Sequence, residues 1–164
     1  MSCDRGMARV WLQLLWVAGA CVVAVGTAAA RDKDARLLEG EPLLPGPYEQ
    51  LVPSTTNERA TITRVKIGGM PFDEALRMVN HRPSQRVDDV QAFVSIPGSV
   101  STGQLLHVQF YARGRAPQSP SGEAKAMVYF QQSAPEYKKD LSKPFTVGPV
   151  WTRFDYAFST TRVY

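Results

Sequence analysis

A chain of 164 residues, 44% hydrophobic and 21% charged, has room for one ordinary globular domain and an N-terminal extension, and excludes a second large domain. Its net charge of +4, with Lys and Arg scattered among Asp and Glu, argues against a nucleic-acid partner. Both cysteines, Cys3 and Cys21, fall in the extension, so the rest of the chain has no disulfide, cysteine nucleophile or cysteine metal site.

In the extension, Arg5 and Arg9 precede an apolar run from Val10 to Val25 broken only by Gln13. Ala28-Ala29-Ala30 then supplies small residues suited to signal-peptidase cleavage. Residues 1–30 read as a signal peptide, which implies a secreted or extracytoplasmic protein with no stable membrane span once the leader is removed. Left uncleaved, the run approaches the roughly 20 apolar residues that cross a bilayer, so a membrane anchor is the alternative. Cys21 follows Ala18-Gly19-Ala20, but Ala stands where a lipoprotein signal carries Leu, and the apolar run continues past the cysteine. Both facts argue against lipidation.

Residues 31–58 contain Pro42, Pro45, Pro47 and Pro53 with Gly40, Gly46 and Ser54-Thr55-Thr56, and no sustained apolar period. They read as a linker or extended arm. From residue 59 onward, short segments rich in β-branched and aromatic residues end in Gly, Pro, Asn or Ser: Ala60–Ile67, Phe72–Val79, Val90–Ile96, Leu105–Arg113, Ala124–Gln132, Phe145–Val147 and Trp151–Ser159. Such spacing predicts an all-β domain over 59–164, a sandwich or barrel. Asp73, Glu74, Ala75 and Leu76 favour a helix, but their segment is short and stops at Asn80-His81-Arg82-Pro83, so a strand is expected.

Leu105–Arg113 alternates strictly, with Leu106, Val108, Phe110 and Ala112 on a core face and His107, Gln109, Tyr111 and Arg113 opposite. Ala124–Gln132 repeats the pattern, with Ala126, Val128 and Phe130 inward and Met127, Tyr129 and Gln131 outward. The Gly/Pro/Ser-rich stretch from Gly114 to Gly122 reads as a long hairpin connection that would bring Tyr111 near Tyr129. In the last segment Phe154, Tyr156 and Phe158 share a face and Asp155 lies opposite. A stop at Thr160-Thr161-Arg162-Val163-Tyr164 lacks a turn or polar tail; an unpaired edge there would be costly, which suggests a fragment missing its closing strands.

Catalytic and metal motifs give little. His81 and His107 are far apart in sequence with no cysteine nearby, and His107 reads as a surface strand residue. Gly98-Ser99-Val100-Ser101-Thr102-Gly103 lacks the lysine of a phosphate loop, having Gln104 there, and reads as a strand-connecting turn. Asp88 and Asp89 are the pair that could ligate a structural Ca²⁺, but two adjacent carboxylates without a calcium-loop pattern read as solvated, so no cofactor is expected.

Three strings carry a resemblance: Gly103 to Gly114 (GQLLHVQFYARG), Val128-Tyr129-Phe130-Gln131, and Val147 to Phe154 (VGPVWTRF). In this order they resemble the carbohydrate-binding modules of families four, nine and twenty-two, and Phe72-Asp73-Glu74-Ala75-Leu76-Arg77-Met78 resembles an early strand of the same fold. The resemblance spans about residues 60–164. It implies an antiparallel β-sandwich of jelly-roll type that binds a β-glucan or xylan without catalysis, ahead of a secreted glycoside hydrolase domain. Sugar rings present apolar C–H patches to flat aromatic rings, and Gln and Arg can hydrogen-bond their hydroxyls. The candidate ligand residues are Gln91, Gln109, Tyr111, Arg113, Tyr129 and Gln131. Trp151, at a strand start before Phe154 and Phe158, reads as a packing anchor. The rival readings are a structural or adhesive cell-surface domain with no glycan ligand, in which Tyr111 and Tyr129 form an ordinary cross-strand pair, and a small hydrolase using acidic residues.

Overall fold

The computed structural model describes the backbone of residues 8–13 and 20–24 and, with their side chains, residues 51–55, 59–82, 86, 89–96 and 98–164. The strands in chain order are β1 (Ala8–Gln13), β2 (Ala20–Ala24), β3 (Val52–Thr55), β4 (Ala60–Lys66), β5 (Glu74–Asn80), β6 (Val90–Ile96), β7 (Leu105–Arg115), β8 (Ala124–Gln132), β9 (Lys139–Val147) and β10 (Thr152–Ser159). No helix occurs among the described residues, and the paired strands are antiparallel. The chain is all-β. Each segment expected to be extended beyond residue 59 overlaps one of these strands. β5 takes its strand form because Leu76, Met78 and Asn80 are buried on one face while Arg77 points to solvent on the other.

Two five-stranded sheets form, ordered β3-β6-β1-β8-β9 and β10-β7-β2-β5-β4. β1 and β2, both inside the stretch read from sequence as a leader, are the middle strands of their sheets. The expected cleavage site at Ala28-Ala29-Ala30 and arm residues 31–50 lie outside the described residues. β3 was not foreseen, since Pro53 lies within it; at a sheet edge the missing N–H is tolerated.

Residues from both sheets make one core. Phe110 of β7 meets Phe145 of β9 with ring centroids 5.1 Å apart, and Phe130 of β8 meets Phe158 of β10 at the same separation. Leu76, Met78, Val90, Val94, Val128 and Val147 fill the space between these rings. Burying each such side chain contributes about 1.5–3 kcal/mol.

One expected connection is corrected. β7 and β8 do not form a hairpin: β7 pairs with β10 and β2, β8 with β1 and β9, in different sheets. The intervening loop folds on itself, with Ala116 N donating to Gly122 O at 2.8 Å and Gly122, at φ 71°, donating to Ser119 O at 2.9 Å. A connection of this length, with Pro117 and Pro120, serves a crossing between the two sheets as readily as a long hairpin, and here it spans the roughly 10 Å from one to the other.

Thr160 and Tyr164 pack against the segment between β6 and β7. Val100 and Tyr164 exchange backbone hydrogen bonds of 3.0 and 2.9 Å, and Thr160 N donates to Gln104 O at 3.0 Å. Tyr164 is 2% exposed, its ring 4.6 Å from that of Phe130. The Gly98–Gly103 segment these residues pack against is the connecting turn expected, with positive φ at both glycines.

Candidate functional site

An ordered polar array lies on the outward side of β7 and β10. Alternation in β7 sends Leu106, Phe110 and Ala112 into the core and presents His107, Gln109, Tyr111 and Arg113, each partly exposed, on the other side. β10 places Asp155 directly opposite Gln109, and Arg153 opposite Tyr111. Asp155 is the hub. Its Oδ1 accepts from Gln109 Nε2 at 3.1 Å and lies 3.2 Å from His107 Nε2, while its Oδ2 accepts from Arg153 Nε at 2.9 Å. The Asp155 charge and hydrogen bond hold the Arg153 guanidinium above its ordinary pKa.

An aromatic cluster borders this array. The turn between β4 and β5, with Gly69 at φ 74° and Ile67 N donating to Asp73 O at 2.7 Å, folds Phe72 down onto the outward face. Phe72 meets Tyr111 at 5.5 Å and Trp151, edge-on, at 5.2 Å. The Arg113 guanidinium stacks 4.9 Å from the centre of the Trp151 ring. Trp151 therefore packs in a small apolar group with Phe72, Ala75 and Met70, in keeping with an anchor, and it also fixes Arg113.

The residues singled out from sequence divide between two sheets. Gln109, Tyr111 and Arg113 share the array just described. Gln91, Tyr129 and Gln131 belong to β6 and β8 of the other sheet, so the expected approach of Tyr111 to Tyr129 does not occur. Alternation was read correctly in β8, since Val128 and Phe130 enter the core and Tyr129 does not, but Tyr129 and Gln131 are only 5% and 4% exposed. The Lys139 ammonium sits 4.5 Å from the centre of the Tyr129 ring. Gln91 is half-buried. Asp155, Arg153 and His107 were not among the sequence candidates, although the Arg-Phe-Asp-Tyr alternation of β10 already set Arg153 and Asp155 on the side away from Phe154 and Tyr156.

Two carboxylates are drawn out of solvent. Asp89, read as solvated, is buried; its Oδ2 lies 3.5 Å from Arg59 Nη1 and accepts from Arg86 N at 3.3 Å, because a charge withdrawn from water needs a partner. Asp88 lies outside the described residues. Asp140 has a side chain only 2% exposed and accepts from Thr161 N at 2.7 Å and from Thr161 Oγ1, with Arg162 Nη2 at 3.2 Å. Burial pushes its pKa up, but the Thr161 hydrogen bonds, the nearby Tyr164 hydroxyl and the Arg162 charge outweigh this and hold it below the usual carboxylate value. Among the described residues no three His, Cys, Asp or Glu side chains gather as metal ligands.

The β7–β10 array joins a planar aromatic edge to amide, guanidinium and carboxylate groups held in fixed positions by one another. That combination suits a polyhydroxylated ligand with apolar ring faces. The chain matches no family model, no curated protein and no solved structure.

Proposed function

We propose that this chain is a noncatalytic carbohydrate-binding module with a β-sandwich of jelly-roll type, which holds a downstream glycoside hydrolase against polysaccharide of the β-glucan or xylan class. The observation that carries this reading is the ordered outward face of β7 and β10, where Asp155 fixes Gln109 and Arg153 beside Tyr111. Side chains already held in place lose little freedom when a sugar docks, so modest contacts suffice for binding. The module raises the local concentration of the tethered enzyme rather than performing chemistry itself. Of the residues first singled out, Gln109, Tyr111 and Arg113 form the site; Tyr129 and Gln131 are too buried to present a surface.

A structural or adhesive role has one observation in its favour: Tyr111 already packs on Phe72, which uses part of its ring. Titration of soluble and insoluble glycans against the full chain separates the two readings. Binding of a β-glucan or xylan that is lost in a folded Tyr111→Ala variant supports the carbohydrate module. A folded chain that binds no glycan favours the structural role.

A further inference from the structure

Beside the proposed sugar face lies a second feature, which the glycan reading touches only through Arg113. A cleft of about 420 Å³ opens where the ends of β4 and β7 flank Arg77 of β5, and its rim carries Lys66, Arg77, Arg113 and Arg115 with apolar ground from Ile67 and Pro149. Among the described residues, no carboxylate lines it. Arg77 and Arg113 occupy equivalent places on either side of β2, both in register with Val22. Their backbones are therefore about 10 Å apart, twice the spacing of neighbouring strands. Arg115 follows Arg113 on the same side of β7.

Gathering four cations around one concavity works against folding through mutual repulsion, and a cleft concentrates their field. A surface in need only of solubility would intersperse carboxylates, as β10 does with Asp155 beside Arg153. Arginine forks match the paired oxygens of carboxylate and sulfate, and Arg113 is held by its stacking on Trp151. We infer that the Lys66, Arg77, Arg113 and Arg115 cleft binds the anionic groups of an acidic polysaccharide, carboxylate or sulfate ester, so that a glycan chain carrying such groups is preferred to a neutral one. This rests on the carbohydrate reading and narrows it: Arg113 joins the neutral contacts at Gln109 and Tyr111 to the cationic rim, so one extended chain touches both.

The test measures binding of the full chain to a polyuronate, a sulfated galactan, a neutral xylan, a neutral β-glucan and inorganic polyphosphate. An Arg77→Gln/Arg115→Gln variant is carried in parallel, its fold checked by near-ultraviolet circular dichroism. At least about tenfold tighter binding of an acidic glycan than of both neutral ones is expected, equivalent to about 1.4 kcal/mol. The preference should vanish in the variant, and should fade at about 1 M salt, where screening reaches about 3 Å. Whichever acidic polymer binds tighter identifies the anion. Equal binding of acidic and neutral glycans, or an undiminished preference in the folded variant, overturns the inference and leaves the carbohydrate reading standing. Polyphosphate binding as tightly as the acidic glycans overturns the assignment to a sugar. Failure of every glycan removes both readings.

Discussion

Gln109 and Asp155, opposite one another on β7 and β10, are joined by a side-chain hydrogen bond of 3.1 Å, and the same carboxylate holds Arg153 at 2.9 Å. Both partners of the Arg153–Asp155 pair are more than a third exposed, so its screened charge adds little to stability. Its contribution is positional. Asp155→Ala should lower stability by less than about 1 kcal/mol while weakening glycan binding about threefold to tenfold, because Gln109 and Arg153 must then be ordered by the ligand. Chemical denaturation and calorimetric titration of the same sample read the two effects separately.

Tyr111 and Tyr129 should part company on truncation. Tyr111→Ala removes a partly exposed ring and should chiefly reduce glycan affinity. Tyr129→Ala removes a ring that is 5% exposed and should cost about 3 kcal/mol or more in stability, in the range of large-to-small changes at buried aromatics. Equal loss of affinity in two equally stable variants would contradict this division.

Phe110 is the centre of the aromatic core, stacked 5.3 Å from Phe154 and edge-on to Phe145. Phe110→Ala should cost about 3–5 kcal/mol, a large part of the 5–15 kcal/mol typical of a domain. Phe110→Leu should recover most of that loss. Urea midpoints for the two variants give the comparison directly.

Asp140 sets an acid-side dependence. Its folded-state pKa lies below the unfolded value of about 3.9, so the stabilisation is fully present above that pH and is lost as pH falls through the folded value. Asp140→Asn should therefore be less stable than the parent at pH 6, with the gap closing below about pH 4. Denaturation midpoints from about pH 6 to about pH 2 follow the gap; one that stays constant would show that the carboxylate is not the group responsible.

Asn80 is buried in β5, and neither atom of its amide finds a hydrogen-bond partner among the described residues. Asn80→Leu, close in size, should raise stability by about 1 kcal/mol by removing an unsatisfied polar group. A loss of similar size, measured by thermal unfolding, would reveal that the amide is satisfied in solution.

Strand positions were legible because alternation and β-branched residues write them locally: Val90–Ile96 and Ala124–Gln132 coincide with β6 and β8 to the residue. The first half of β9 was not legible. Lys139-Asp140-Leu141-Ser142-Lys143-Pro144 is charged and carries a proline, a composition acceptable only in a strand with one free edge. Pairing was hidden for a different reason. Alternation tells which side of a strand Tyr111 and Tyr129 occupy but not which strand lies alongside, and the Gly114–Gly122 loop suits a hairpin or a crossing between sheets by composition alone. The site was accordingly half visible: the β7 residues were found from their own pattern, while Asp155 and Arg153 acquired meaning only once β10 was seen beside them.

The outermost strands bear on how copies of this chain meet. β3 carries exposed Pro53, β9 exposed Lys143 and Pro144, β4 exposed Arg64 and Lys66, and β10 exposed Arg153 and Asp155. Prolines and charges at such positions block the continuous backbone pairing that would let one sheet extend into the next. Encounters along these rims are held off by desolvation and missing donors, so growth of sheets into fibrils by edge-to-edge addition is disfavoured at high local concentration.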